Sequence, residues 1–272
     1  MELISDLPNL SSIKIGALFF KPKNGIEKRV ARSIRPVTVE YPDLTEHLGL
    51  SGSCCLIAFR DKYFVACTRH QLSIKPEQNL VGASLDYVRF VSYVDSEALR
   101  NIPVDGVIFV TDNQNEEFRD VLLFKVAKGW PDFEKEKSSF FPIENFITGP
   151  RLASWIVGIP LSENQMVYDP NHYKALTLML GCTFDGDFKS NAKHYSHYTF
   201  DDGQLDLNGF SGGAVFSLVQ DSNEFEIVFD GIVTRAGSGN AYAVNSTFLR
   251  AMAGHRSPHS HSMVPGGLLV TS

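Results

Sequence analysis

The chain reads as an all-β protein, a sandwich or a barrel, on three observations. Short apolar runs recur along most of its length. They are separated by turns rich in Gly, Asn and Asp, the punctuation of many short strands. The length, 272 residues, suits one large domain or two small ones and accommodates a double β-barrel.

The elements follow in order. Met1 to about Leu48 carries mixed signals: Ile13 to Phe20 is apolar enough for a strand, and Lys21-Pro22-Lys23-Asn24-Gly25 reads as a turn. Ser53 to Phe59 and Tyr63 to Cys67 flank the polar turn Arg60-Asp61-Lys62, the pattern of a β-hairpin, and His70 follows its second strand. Tyr87 to Tyr93 and Gly106 to Thr111 are further β-rich runs, and Val121 to Val126 is a short buried strand. Residues 128 to 149 are richer in charge and Pro and read as a connection. Beyond it, Trp155 to Pro160, Ala175 to Cys182, Gly213 to Leu218, Phe225 to Phe229, Gly231 to Thr234 and Ala241 to Val244 supply more strands. Asn245-Ser246-Thr247 can cap a short helix running through Met252. The tail from Gly254, rich in Ser, His, Gly and Pro, is expected to be mobile at least in its first half.

Composition excludes several classes. A net charge of −6 gives no sign of nucleic-acid or anionic-membrane binding. No apolar run reaches the length of a membrane span, and Met1-Glu2-Leu3-Ile4-Ser5-Asp6 lacks the basic and apolar regions of a signal peptide, so the expected location is cytoplasmic. Cys54, Cys55, Cys67 and Cys182 lie in strand-like segments without C-x-x-C spacing and read as buried free thiols.

The chemistry-bearing pattern is Gly209-Phe210-Ser211-Gly212-Gly213, downstream of Cys67-Thr68-Arg69-His70 and of Asp120-Val121-Leu122-Leu123. A serine hydroxyl needs a neighbouring base and a group that orients that base before it becomes a nucleophile. Alone, each signal has a commoner reading: a glycine-rich turn, a loop histidine, a strand-capping aspartate. Together they give His, Asp and Ser in one order, each at the edge of a strand-like run. Asp105 also precedes a strand and rivals Asp120, while Asp112 sits in a polar turn.

This order and these flanks resemble the trypsin/chymotrypsin-fold serine peptidases, especially the bacterial ones that lack disulfides, over roughly Ser51 to Val244. The resemblance implies two six-stranded antiparallel β-barrels with a short C-terminal helix. On that basis residues 1–50 form an N-terminal extension, 51–127 the first barrel, 128–150 the inter-barrel connection, 151–250 the second barrel and 251–272 the tail. It also implies a trypsin-like serine endopeptidase needing no cofactor or metal, with Ser211 as nucleophile, His70 as general base and Asp120 orienting it. The backbone N–H groups of Gly209 and Ser211 would form the oxyanion hole. Leu205 would lie near the floor of the specificity pocket, with Thr234, Ala236 and Gly237 lining it. A leucine floor favours an apolar or small side chain, whereas a shift of one residue to Asp206 would favour a basic one.

One departure matters: secreted zymogens of this family have, before the nucleophile, an aspartate that binds the freed N-terminus, and here Phe210 stands in its place. Any regulation must use another route, such as an activating partner protein, a ligand or ordering of loops. The cytoplasmic reading fits a regulated protease acting on a protein or peptide substrate.

Other readings compete. A catalytically silent peptidase-fold peptide-binding module would keep the groove without turnover. An α/β-hydrolase esterase elbow needs a helix after the serine and its acid and His further on. Here a strand-like run follows, and only His255, His259 and His261 remain, all in the tail. His194 and His197 read as surface-loop residues, and Asp185-Gly186-Asp187 and Asp201-Asp202-Gly203 as turns.

Overall fold

The computed structural model describes residues 12–20, 26–40, 48–74, 85–92, 100–110, 116–144, 149–162, 175–187, 194–201, 205–221, 224–254 and 268–271. The expected turn at 21–25, Asp112, Asp202, and His255, His259 and His261 lie outside them. Before the expected first barrel come β1 (Ile13–Ile15), β2 (Leu18–Phe20), α1 (Ile26–Ala31) and β3 (Ile34–Glu40). The hairpin follows as β4 (Leu48–Phe59) and β5 (Lys62–Thr68), turning at Arg60 with φ +58°. Then come β6 (Val88–Ser92), β7 (Arg100–Asn101), β8 (Val104–Val110), α2 (Glu116–Asp120) and β9 (Val121–Val126). The connection carries α3 (Phe133–Glu136) and β10 (Phe141–Pro142), whose register is parallel to β4. The second half comprises β11 (Arg151–Gly158), β12 (Leu178–Asp187), β13 (Tyr195–Thr199), β14 (Ala214–Asp221), β15 (Glu224–Gly237), β16 (Asn240–Asn245) and α4 (Ser246–Gly254), and β17 (Leu268–Thr271) returns to pair with β8.

The second half closes. Its strands run β14-β11-β12-β13-β16-β15, and β15 pairs back on β14 to complete a six-stranded antiparallel barrel. The first half does not close among the described residues. Its sheet runs β17-β8-β9-β5-β4-β3-β6-β7, a half-barrel, in place of the second six-stranded barrel that was expected. The segment expected to be an extension is part of both sheets: β3 sits between β4 and β6, and β1 pairs with β15. No helix among the described residues is long and apolar enough to cross a membrane.

Alternation along the strands explains why they read as unbroken apolar runs. Successive side chains in a strand point to opposite faces. Cys54, Leu56, Val65, Cys67, Leu122 and Phe124 fill the interior of the first sheet. Their neighbours Cys55, Ile57, Phe64, Ala66, Val121 and Leu123 enter a second cluster, which also takes Trp155, Phe216 and Phe229 from the other half. There Phe141 packs on Phe216 with ring centroids 4.8 Å apart. Ile156, Phe210, Val215 and Val233 fill the interior of the closed barrel. Both faces of these strands are therefore dry.

Several local expectations change. Phe225–Phe229 and Gly231–Thr234 are one strand, β15, because the intervening Asp230 does not turn the chain. Its buried carboxylate receives Arg151 Nε at 2.6 Å, Arg151 Nη2 at 2.9 Å and the Ser217 hydroxyl at 2.7 Å. His197 lies in β13, inside the barrel wall, and Asp185-Gly186-Asp187 is the irregular end of β12. At α4 the Phe248 amide donates to Asn245 Oδ1 at 3.2 Å, the expected cap. All four cysteines are free.

The Arg151–Asp230 pair yields a stability test. Asp230→Ala removes both carboxylate bonds to the Arg151 guanidinium and the bond to Ser217, and should cost about 3 kcal/mol. Replacing both partners with apolar residues of similar volume should recover most of it. Urea unfolding at constant m-value checks both.

Candidate active site

β5 ends at Thr68, whose register partner is Val121, the first residue of β9. Pairing these two strand ends brings Asp120, the last residue of α2, beside His70. The Arg69 amide donates to the Asp120 carbonyl at 2.6 Å, and Arg69 Nε donates to the Arg119 carbonyl at 3.1 Å. The Asp120 carboxylate then accepts twice from one residue. Oδ1 takes the His70 backbone amide at 3.0 Å, and Oδ2 takes Nδ1 of the ring at 2.7 Å. An ionised carboxylate only accepts, so Nδ1 carries the proton and the neutral ring keeps its lone pair on Nε2. The His70 side chain is half exposed, so that nitrogen belongs to an accessible ring.

The serine lies in a tight turn, and the carbonyls of Asn208, Gly209, Phe210 and Ser211 are each held in place. The Asn208 carbonyl accepts the Leu161 amide at 2.8 Å, and the Phe210 carbonyl accepts the Gly213 amide at 2.8 Å. In a trans peptide the N–H points opposite to the C=O, so these bonds also aim the amides of Gly209 and Ser211. The Gly209 carbonyl is held by the Ser53 hydroxyl at 2.6 Å. The amides of Phe210 and Gly212 are consumed by the carbonyls of Leu207 (3.0 Å) and Val233 (2.8 Å). Among the described residues, the amides of Gly209 and Ser211 donate to no protein acceptor. Two fixed, unspent donors flanking a serine are what a developing oxyanion requires. The Ser211 hydroxyl donates to the Thr234 carbonyl at 3.3 Å. No hydrogen bond joins it to His70 among the described residues.

His70, Asp120, Gly209 and Ser211 all line one cavity of about 690 Å³ at the junction of the two halves. Of the expected pocket residues, Thr234 and Ala236 line it as well. Leu205 packs against the interior of the closed barrel, and the leucines that line the cavity are Leu161 and Leu207. Gly237 is not among the lining residues. Asp206 is exposed, and its carboxylate accepts the Asn208 amide at 2.9 Å. Sequence reasoning missed Gln71, Tyr195 and Arg235. Tyr195 bonds Thr234 Oγ1 through its hydroxyl at 2.9 Å, and burial raises its pKa. Arg235 lies over the Tyr242 ring, 5.0 Å from its centroid.

The rival groups are placed elsewhere or occupied. Asp105 pairs with Lys125 at 3.5 Å. His197 is held by Asp185 at 3.0 Å and by Asn240 at 2.8 Å, and its ring stacks on Tyr242. No group of three potential metal ligands occurs among the described residues. Burial pushes the Cys54, Cys55 and Cys67 thiols up, Cys55 to about 12, so none is a thiolate at neutral pH.

No protein-family model matches the chain, and no curated protein matches it.

Ser53 generates the test of this geometry. Its hydroxyl both donates to Gly209 and accepts the Ile159 amide at 2.8 Å. Ser53→Ala should leave a buried carbonyl and a buried amide unsatisfied, lowering stability by about 2 kcal/mol, read as a fall in the urea midpoint.

Proposed function

We propose that the protein is a serine endopeptidase of the trypsin-like kind that cleaves peptide bonds through an acyl-enzyme on Ser211. The observation that carries this reading is the double acceptance of His70 by Asp120 in a cavity that also holds Ser211 and two unspent amides.

The chemistry follows from the atoms. Ser211 Oγ rotates from the Thr234 carbonyl and attacks the scissile carbonyl carbon while its proton passes to His70 Nε2. The carbonyl oxygen becomes an oxyanion held by the Gly209 and Ser211 amides. The C–N bond then breaks, the leaving nitrogen takes the proton from Nε2, and the acyl group stays on Oγ. Water, deprotonated by the same Nε2, attacks the ester and releases the carboxylic acid and free Ser211. Throughout, Asp120 fixes the tautomer and stabilises the imidazolium. This sequence calls for no cofactor. The cavity wall is mixed, with Leu161, Leu207 and Tyr195 beside Glu117 and Arg235. A protein or peptide chain, added as a strand beside Thr234 to Ala236, is the substrate class that the site favours.

A second reading rests on one observation, the Ser211 hydroxyl bonded to Thr234 and not to His70. A module that binds peptides without turnover would keep it there.

Fluorophosphonate labelling with mass spectrometry separates the two. The folded protein should form an adduct at Ser211. Ser211→Ala should abolish it, and His70→Ala and Asp120→Asn should each slow it by about 10⁴-fold. Absence of an adduct on folded protein would favour the binding module.

A further inference from the structure

We propose that Gln71 is a positioning residue for the nucleophile, its carboxamide tying the histidine turn to the carbonyl of Ser211. The proposal rests on the serine-hydrolase reading of the same cavity for its consequence in rate, though not for its geometry.

Gln71 follows His70 directly and is buried, with 6% of its surface exposed. Its carboxamide uses both ends. Oε1 accepts the Thr68 amide at 3.0 Å and the Thr68 hydroxyl at 2.6 Å. Nε2 donates to the Ser53 carbonyl at 3.1 Å and to the Ser211 carbonyl at 2.5 Å. Two donors and two acceptors are the full inventory that such a group commonly satisfies. The amide also has one sensible orientation. Turned over, its oxygen would face two carbonyl oxygens and its nitrogen would face the Thr68 N–H.

The glycines around the serine make room for this side chain. A Cβ at Gly212 would lie 2.6 Å from Gln71 Oε1, and one at Gly52 would lie 2.1 Å from Nε2. Gly212 therefore serves the Gln71 carboxamide as well as the turn.

The bond matters because of the peptide it holds. The Ser211–Gly212 peptide is fixed at both ends: its N–H donates to the Val233 carbonyl at 2.8 Å, and its carbonyl accepts Gln71 Nε2. The Ser53 amide reaches the same carbonyl at 3.3 Å, the longer of the two bonds. Fixing this peptide fixes ψ of Ser211, and with it the direction in which Cα projects the hydroxymethyl group. Because the anchoring side chain belongs to the residue after His70, the base and the nucleophile share one strut. An apolar residue of the same length could fill the space, but it could not hold the carbonyl.

Two variants and two readouts test this. Gln71→Met keeps length and bulk and removes all four hydrogen bonds. Gln71→Glu keeps the acceptor toward Thr68 and reverses the partner facing Ser211. Both are studied at a temperature and denaturant-free condition where unfolding curves show them folded. The first readout is amide hydrogen exchange of the segment 209–213, which does not depend on any activity. Gln71→Met should speed exchange there by about tenfold or more while leaving 121–126 unchanged. The second is the rate of fluorophosphonate reaction, resolved into reagent affinity and the first-order step. The first-order step should fall by about 10²-fold in Gln71→Met, with affinity changed little, as expected when a reacting group is displaced by about an ångström. Gln71→Glu should fall similarly near neutral pH, and its rate relative to the unsubstituted protein at the same pH should recover in part as the pH is lowered, because a protonated carboxyl can donate to the Ser211 carbonyl again.

Unchanged exchange at 209–213 would overturn the proposal. So would faster exchange with an unchanged first-order step, which would leave Gln71 a purely structural residue. If the unsubstituted protein forms no adduct, the hydrolase reading fails on its own account, and the exchange experiment still decides whether Gln71 holds the serine turn.

Discussion

The bonds of Ser53 across the junction are the constraint on which the site depends. His70 and Asp120 come from the half-barrel and Ser211 from the closed barrel, so their geometry is only as good as the register between the two. An apolar layer that contains Phe141, Phe216 and Phe229 packs the two halves together, but hydrophobic burial has no direction. Ser53 supplies direction. Its hydroxyl ties the Gly209 carbonyl and the Ile159 amide to β4, and its own amide reaches the Ser211 carbonyl. These groups are buried or partly buried, so each unmade bond would carry a desolvation cost, and a slip of either half would unmake several together. The half-barrel therefore need not close among the described residues for His70 to be held beside the serine turn, because the edge that carries it is pinned to the other half.

How far the molecule could be read from residues alone depended on whether the deciding contacts were local. The β4–β5 hairpin, β9 and α4 were legible, since apolar runs bounded by polar turns and an Asn cap act within a few residues. Asp230 separates two runs that read as distinct strands and is mid-strand, because Arg151, far away in sequence, pairs with the aspartate. The same holds for His197, which polar neighbours made into a loop residue and which Asp185 and Asn240 hold within a strand. At the site, the motif named His70, Asp120 and Ser211, but nothing local told Leu205 from Leu207 as the cavity wall. Gln71 gave no signal at all. Its partners lie in three separate segments that only the folded chain assembles.

Phe210 shows how the serine turn can stand without a buried charge. The side chain is fully buried within the closed barrel among Ile156, Leu180 and Val215. Its amide and carbonyl close the turn locally, on Leu207 and Gly213. The residue that shapes the turn is thus an ordinary member of the barrel core, buried when the strands of the closed barrel come together. The two amides beside Ser211 are then aimed by the same folding event, with no ion pair needed to turn them. Any control over such a site would have to act on what remains adjustable: the rotation of the Ser211 hydroxyl between Thr234 and His70, or access to the cavity. On the proposed reading, a chain bound beside Thr234 would bear on both, since it would compete for the groups around the Thr234 carbonyl while bringing the carbonyl carbon that the hydroxyl is to meet.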